Sequence, residues 1–399
     1  MREGWEIKPL GKVCEIFGRI GFRGYNRTDI VDSPEEGAIS LSPSNISNGK
    51  LTYEKPTYIS WAKYEESPEI KIENNDVLFV KTGSTVGKCA KVENLPHPAT
   101  INPQFVVLKN IILDNSYLCY YLQSEFFKEQ LMKKVTGVAV PTTSQKSLNE
   151  MTVFYPTDKI KQQAVVKELD QINALIAIKE KQLRELEELE QTIFHEMFGD
   201  PIDNEKGWNV APLQKNVKEM FLGPFGSSLK VDSYVSQEES YCMVYEQKHA
   251  IKGTIDLDNH YIDKEKFDSL ERFCVKPGDF IMSCRGTIGK LYRLPVDAPI
   301  GIIHPSLMKI RLKEESYNPT FFQFMLVKIV ANERTNGNCV QMAITAKALG
   351  EKKLIVPSME KQESFAKRVK LIREQMNAVN TTKKDLEELL ASRMQYWFD

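Results

Sequence analysis

NDVLFVKTGSTVGK, from Asn75 to Lys88, returns as GDFIMSCRGTIGK, from Gly278 to Lys290. Working outward, other phrases recur at an offset of about 200 residues. Gly4-Trp5 comes back as Gly207-Trp208, and LEELEQTIFHEMFGD from Leu186 comes back as LEELLASRMQYWFD from Leu386. An internal repeat on this scale means two related units. Each reads as a compact domain followed by a long helix.

Short β-branched runs such as DVLFV, QFVVLKNIIL and MTVFY, punctuated by Gly, Pro and Asn, predict a mixed α/β domain. A helix is expected over Tyr117–Lys134. Its counterpart follows Asn318-Pro319, an N-cap with proline at the first helical position. After Pro156, with Thr157 as cap, the chain runs without Pro or Gly to Gly199, and it does so again after Pro357-Ser358. In the first of these runs Val165, Leu169, Ile172, Ile176, Leu183, Leu186, Ile193 and Met197 fall on alternating steps of four and three, with Lys179 and Glu190 in the remaining slots. The second run gives Phe365, Val369, Ile372, Met376, Val379, Leu386, Leu390 and Trp397, with Lys383 and Arg393 in the gaps. A heptad sustained this long is a coiled-coil signal, and matched registers favour mutual pairing. An amphipathic helix lying on its own domain is the alternative. At ~1.5 Å per residue each helix is about 60 Å long, too long to lie wholly against one domain. Antiparallel pairing lets the second domain be a side insertion with close termini. The expected fold is α/β (α+β): two duplicated globular domains, 1–156 and 199–357, joined by helices in 157–198 and 358–399 that pair as an antiparallel coiled coil. The expected outline is a pseudo-two-fold dumbbell.

Composition is that of a globular chain, 42% hydrophobic and 27% charged, with a net charge of −1. Many nucleic-acid binders are basic overall, so any such role here needs local positive charge. Phe321–Val330, the most apolar stretch, is interrupted by Gln323 and Lys328 and falls short of the roughly 18 residues of a membrane span. MREGWEIK has no signal-peptide core. The seven cysteines are scattered without a CxxC pair, which suits buried thiols in a reducing cytoplasm.

Several catalytic motifs fail. GSTVGK (Gly83–Lys88) lacks the spacing of a phosphate-binding P-loop and is followed by Cys89, not Ser or Thr. Asn102-Pro103-Gln104-Phe105 approaches the Asn-Pro-Pro-aromatic loop of amino-methyltransferases but lacks the second proline. Its repeat reads His304-Pro305-Ser306-Leu307, and no Gly-rich cofactor loop precedes either. His195-Glu196 is half of a zinc-protease motif. No catalytic set and no metal site can be assigned from spacing, and the chain reads as a non-enzyme.

The arrangement resembles the specificity subunit of a type I DNA restriction–modification system, over essentially the whole chain. The marks are the duplicated domains with their long helices, the openings GWEIKPLGKV (Gly4–Val13) and GWNVAPLQKNV (Gly207–Val217), GPFGSSLK (Gly223–Lys230), and the repeated DVLFVKTGSTVGK/GDFIMSCRGTIGK phrase. The resemblance implies a cytoplasmic subunit, part of phage defence, that recognises a split double-stranded DNA target. It implies two partner modification subunits carrying S-adenosylmethionine and the methylation chemistry. It also implies motor–nuclease (restriction) subunits that use ATP and Mg, no cofactor in this chain, and no membrane. The units diverge after their openings, FGRIGFRGYNR (Phe17–Arg27) against FLGPFGSSLK (Phe221–Lys230).

A DNA reader needs cations for phosphates and hydrogen-bonding side chains for base edges. Residues matched between copies suit scaffold or phosphate contacts: Thr85 with Thr287, and Lys88 with Lys290. The two lysines fit a surface ion pair equally well. Unmatched residues suit base reading. They are Arg19, Arg23 and Arg27 in one Gly-rich loop, opposed by Ser227, Ser228 and Lys230 in the other. Lys81 and Arg285 lie where a strand enters the Gly loop. Thr142, Thr143 and Gln145 answer to Asn338 and Gln341. Gln and Asn suit adenine, and Arg suits guanine. The competing reading is a coiled-coil adaptor whose two heads bind proteins, which would more often show exposed aromatic or aliphatic anchors.

Overall fold

The computed structural model describes residues 2–21, 24–137, 140–313, 315–335 and 344–399, with backbone only at 333–335. Its contacts divide it into two units, Met1–Lys181 with Asn380–Asp399, and Gln182–Val379. The divisions fall inside two long helices, Lys159–Phe198 and Met359–Phe398. Each unit therefore holds one α/β domain and a stretch of both helices.

In the first unit, strand Phe105–Lys109 lies antiparallel between Val77–Val80 and Glu15–Gly18, with Val106 opposite Phe79 on one side and Gly18 on the other. A second sheet sets Gly37–Leu41 parallel to Ala99–Ile101, Ile39 facing Ala99. The second unit repeats both arrangements. Leu307–Leu312 lies between Phe280–Ser283 and Val217–Leu222, and Cys242–Tyr245 runs parallel to Gly301–Ile303. VLFV and FIMS are buried at every position, since both faces of these strands are covered. Their sequences accordingly run apolar without alternation, broken only by Ser283 at the end of the second.

Two local expectations are corrected. The helix expected over Tyr117–Lys134 is two helices, Asn115–Gln123 and Glu125–Met132. Ser124 breaks it by turning extended (φ −66°, ψ 152°) and accepting a hydrogen bond from the Phe127 amide. Thr157 is not the cap of the first long helix. Its hydroxyl donates to the Gly4 carbonyl at 3.1 Å, and Asp158 Oδ1 instead accepts from the Ile160 amide at 2.8 Å.

None of the apolar heptad residues on either helix is exposed. The pairing is antiparallel within each unit. In the first, Arg393 pairs with Glu168, and Lys383 with Glu180 at 3.0 Å. In the second, Arg373 meets Glu190 at 3.1 Å, and Phe365 packs edge-on against Phe194 and Phe198. Glu190, Lys383 and Arg393, three of the charged residues that interrupt the apolar stripe, thus find opposite charges on the other helix.

The helix ends also enter the domain cores. Phe398 is buried against Tyr117 and Tyr121 at ring distances of 5.4 and 5.7 Å. In the second unit Phe198 lies 4.6 Å from Phe321, and Phe194 stacks on Phe321 and Phe324. A buried glutamine near the start of each helix repeats the pattern. Gln162 accepts from the Asp114 amide (2.7 Å) and donates to the Pro156 carbonyl (2.7 Å). Gln362 accepts from the Asn318 amide (2.9 Å) and donates to the Pro357 carbonyl (2.9 Å). A cation ahead of each Gly-Trp reaches a helix C-terminus. Arg2 donates to the Tyr396 and Trp397 carbonyls, and Lys206 donates to that of Glu196. These are the groups that a helix end leaves unpaired, and a positive charge suits them.

Burial pushes the Glu190 carboxyl above its ordinary range, and Arg373 offsets this only in part. A carboxyl raised in the folded state destabilises the fold above its unfolded pKa and ceases to do so as acid protonates it. Arg373→Ala should therefore cost about 1–3 kcal/mol at neutral pH, where it strands a buried charge. Urea unfolding at pH 7 and near pH 4 checks this. The loss should shrink at the lower pH, and Glu190→Gln should be tolerated.

Candidate nucleic-acid interface

In the first domain three loops meet where strands Val77–Val80 and Phe105–Lys109 end. The Gly83 amide donates to the Pro141 carbonyl at 2.9 Å, and the Thr143 amide to the Lys81 carbonyl at 2.9 Å. Thr142 bridges to Thr82 through both backbone and hydroxyl. The turn at Asn102 closes the group, because Asn102 Oδ1 accepts from the Gln104 amide and the Gln104 carbonyl accepts from the Lys81 amide. Lys81, Thr142 and Thr143 are thus brought together. Gln145 sits at the next helix start and donates to the Ile16 carbonyl at 3.3 Å. Lys81 is half-buried, and that burial alone pulls its ammonium below the usual lysine range. Thr143 is 2% exposed, so its side chain faces inward, not toward a partner. Its hydroxyl has no hydrogen-bond partner among the described residues.

The arginine loop is not the uniform cationic surface expected of it. Arg19 is 6% exposed, its guanidinium donating to the Ile101 carbonyl (3.2 Å) and the Thr100 hydroxyl (3.3 Å) and lying over Tyr25. It braces one sheet against the other, and in this arrangement it is no base reader. Arg27 is exposed at a short turn capped by Asn26. Arg23 lies outside the described residues, as do Asn338 and Gln341.

In the second domain the same turn is built from His304, whose Nδ1 accepts from the Ser306 amide at 3.2 Å. Loop Gly223–Lys230 presses on this turn. A Cβ on Gly223 would stand 2.3 Å from the His304 carbonyl, so only glycine fits there. Arg285, Thr287 and Lys290 are exposed on the Gly loop, and Ser227 and Lys230 are exposed on the neighbouring loop, with Ser228 half-buried. Gln247, which the sequence reading missed, holds the Gly loop by donating to the Arg285 carbonyl at 2.6 Å. No pattern pointed to it, because it belongs to a short helix of ordinary composition. Glu246 also went unnoticed. Burial pushes its carboxyl up, but Lys248 and His260 more than offset this, and it stays below the ordinary range.

The matched lysines can now be separated from their alternative. Lys88 and Lys290 are both exposed and make no ion pair among the described residues. Lys88 lines a cleft of about 1000 Å³ together with Glu125, Lys128 and Glu129. Thr85 is half-buried in the same loop, its carbonyl accepting from the Lys88 amide at 3.1 Å. The glycine before each lysine is required. Gly87 (φ +93°) and Gly289 (φ +84°) sit so close to Leu131 and Val330 that a Cβ would come within 2.8 and 2.5 Å. Among the described residues no group of three or more His, Cys, Asp or Glu side chains is arranged to hold a metal ion. Cys14 and Cys284 are buried, and burial pushes each thiol up to about 12.

Known proteins match this arrangement. Residues 2–188 fit the family model described as the type I restriction modification DNA specificity domain. A Methanocaldococcus jannaschii protein described as the MjaX specificity subunit of a type I restriction enzyme is 23% identical over 397 residues, 97% of this chain and 91% of its own length. The chain is thus similar to type I specificity subunits. The MjaVIII specificity subunit of the same organism is 24% identical over 198 residues, 48% of this chain and 45% of its own. Two solved folds agree along the whole length. One is a chain from a study of complex assembly and conformational transition in a type I system, with a TM-score of 0.61, 18% identity and coverage of 100% and 98%. The other is the S subunit from M. genitalium, with a TM-score of 0.51, 14% identity and coverage of 99% and 96%. No described helix of this chain is long and apolar enough to cross a membrane.

The two arginines of the first loop should part company in a stability assay. Arg19→Met removes a buried, charge-assisted brace and should cost about 1–3 kcal/mol. Arg27→Ala should leave the unfolding midpoint within error. Equal midpoints for both variants would make Arg19 a surface residue.

Proposed function

We propose that this chain is a type I specificity subunit that reads a two-part DNA target, one half-site per domain, through the loops that gather at the Asn102–Gln104 and His304–Ser306 turns. The observation that carries the reading is that in each domain the Gly loop is bonded to the equivalent turn, the Lys81 amide donating to the Gln104 carbonyl and the Cys284 amide to the Ser306 carbonyl, while the side chains on the loops differ. Lys81, Thr142 and Arg27 belong to one set, and Arg285, Ser227 and Lys230 to the other. A shared frame with unlike readers suits two unlike half-sites. Lys88 and Lys290, matched and without ion-pair partners among the described residues, are suited to phosphates. The long helices and the remaining surface serve as the scaffold for partner subunits.

In this reading the chain is not itself catalytic. The methyl donor S-adenosylmethionine belongs to modification subunits, two per complex. ATP and Mg belong to restriction subunits, and the complex works in the cytoplasm. The sequence supports this division: neither copy of the Asn102 turn has the second proline of a methyltransferase loop, and the Asn102 side chain is occupied in closing the turn.

The deciding experiment maps adenine methylation in cells that express the chain with its modification partner. A two-part motif is expected. Arg27→Ala should relax bases in one part only, and Arg285→Ala bases in the other, since each bidentate arginine contact is worth ~1–3 kcal/mol of discrimination. Both variants acting on the same part would refute one half-site per domain. Lys290→Ala should weaken binding to all sequences alike and lower the slope of log affinity against log salt by about 0.9. The purified chain alone, given labelled methyl donor and DNA, should transfer no methyl groups, and robust transfer would end the non-catalytic reading.

A further inference from the structure

Phe225 is 86% exposed, far more than any other exposed aromatic among the described residues. Its loop is not loose. Pro224 and Leu229 on either side are buried, and Leu229 packs with Cys242, Val244 and Ile262. Gly223 is pressed against the His304 carbonyl, so the ring projects from backbone fixed beside the reading turn. Val231, just beyond, is 79% exposed. Between the two apolar side chains lie Ser227, Ser228 and Lys230.

Among the described residues of the corresponding first-domain loop, Tyr25 turns inward. Tyr25 accepts a hydrogen bond from Ser40 at 3.0 Å and lies beneath the Arg19 guanidinium. An apolar ring held in water on a pinned loop forfeits the free energy of burial, and exposed apolar groups of this kind mark contact surfaces. Its own loop carries Lys230, and the Gly loop bonded to the same turn through the Cys284 amide and the Ser306 carbonyl carries Arg285, with no carboxylate on either loop. That surrounding favours an anionic partner over an apolar protein face.

We infer that Phe225 makes an apolar contact with the bases of the half-site read by the second domain. This rests on the reading of the chain as a DNA-specificity subunit. Two modes share the chemistry. The ring can meet the 5-methyl group of a thymine in the major groove, the apolar mark that hydrogen-bonding neighbours cannot read. It can also insert at a base step and partly unstack it.

The test uses the chain assembled with its modification partner and a duplex carrying the mapped target. Phe225→Ala should weaken specific binding on the order of tenfold or more, relax base preference in that half-site, and leave the melting temperature unchanged. Phe225→Leu should fall between. Deoxyuridine placed at each thymine in turn should weaken the parent at one position and leave Phe225→Ala no weaker there, if the ring meets a methyl group. Permanganate reactivity that appears at one step with the parent and vanishes with Phe225→Ala reports insertion. A Phe225→Ala complex that binds and discriminates like the parent overturns the inference while leaving the two-part reading intact. A variant that fails to assemble with the modification subunit in the absence of DNA also overturns it, because the ring would then belong to a protein interface. A parent complex that recognises no two-part target removes the underlying reading itself.

Discussion

The long helices end in phenylalanines that have nowhere to go except into a domain core. Phe198 and Phe398 are each about 1% exposed or less, and each sits among aromatic rings at equivalent positions, Phe321 in one unit and Tyr121 in the other. Burying a phenylalanine is worth ~1.5–3 kcal/mol, and well-placed aromatic neighbours add to it. Each helix therefore cannot serve one domain alone. It leaves its own domain through the buried glutamine at its start and closes the other core with its last turn. The antiparallel course, the even division of the helices between units, and the shared register all follow from that requirement.

The charged residues in the helical seam work with this constraint. A purely apolar stripe would tolerate slippage by a heptad. Glu190 facing Arg373, and Arg393 facing Glu168, form only in one antiparallel register. Such pairs contribute little net stability against apolar replacements, and fixing register is their best-attested use.

Much of this was legible in the sequence because it is periodic or repeated. The heptads, the duplicated Gly loop and the buried strands all leave patterns that one chain displays. The parts that were not legible depend on single side chains choosing between partners. Ser124 and Thr157 could each cap a helix. One did so in the middle of an expected helix, and the other was drawn to the Gly4 carbonyl. Arg19 looked cationic and exposed, but the folded sheets offered it two acceptors in the interior. Phe194, Phe198 and Phe398 stand one residue past the heptad positions, so a reading tuned to the helix seam passed over the face turned to the domain. Phe225 lies within a family-like phrase, and its exposure could not be read from composition.

The turn beside the reading loops shows how alike the two frames are and how they differ. Asn102 and His304 do the same work, each accepting from an amide two residues on. An amide oxygen keeps its lone pairs at any ordinary pH, whereas the imidazole nitrogen accepts only while it is unprotonated. Burial holds the His304 imidazole below the usual histidine range, so at neutral pH the lone pair stays with Ser306. In acid a proton competes for that nitrogen, and a depressed histidine pKa means that the stability it contributes is lost as the pH falls through it. One half of a duplicated scaffold thus closes its turn with a proton-sensitive acceptor where the other half has an inert one.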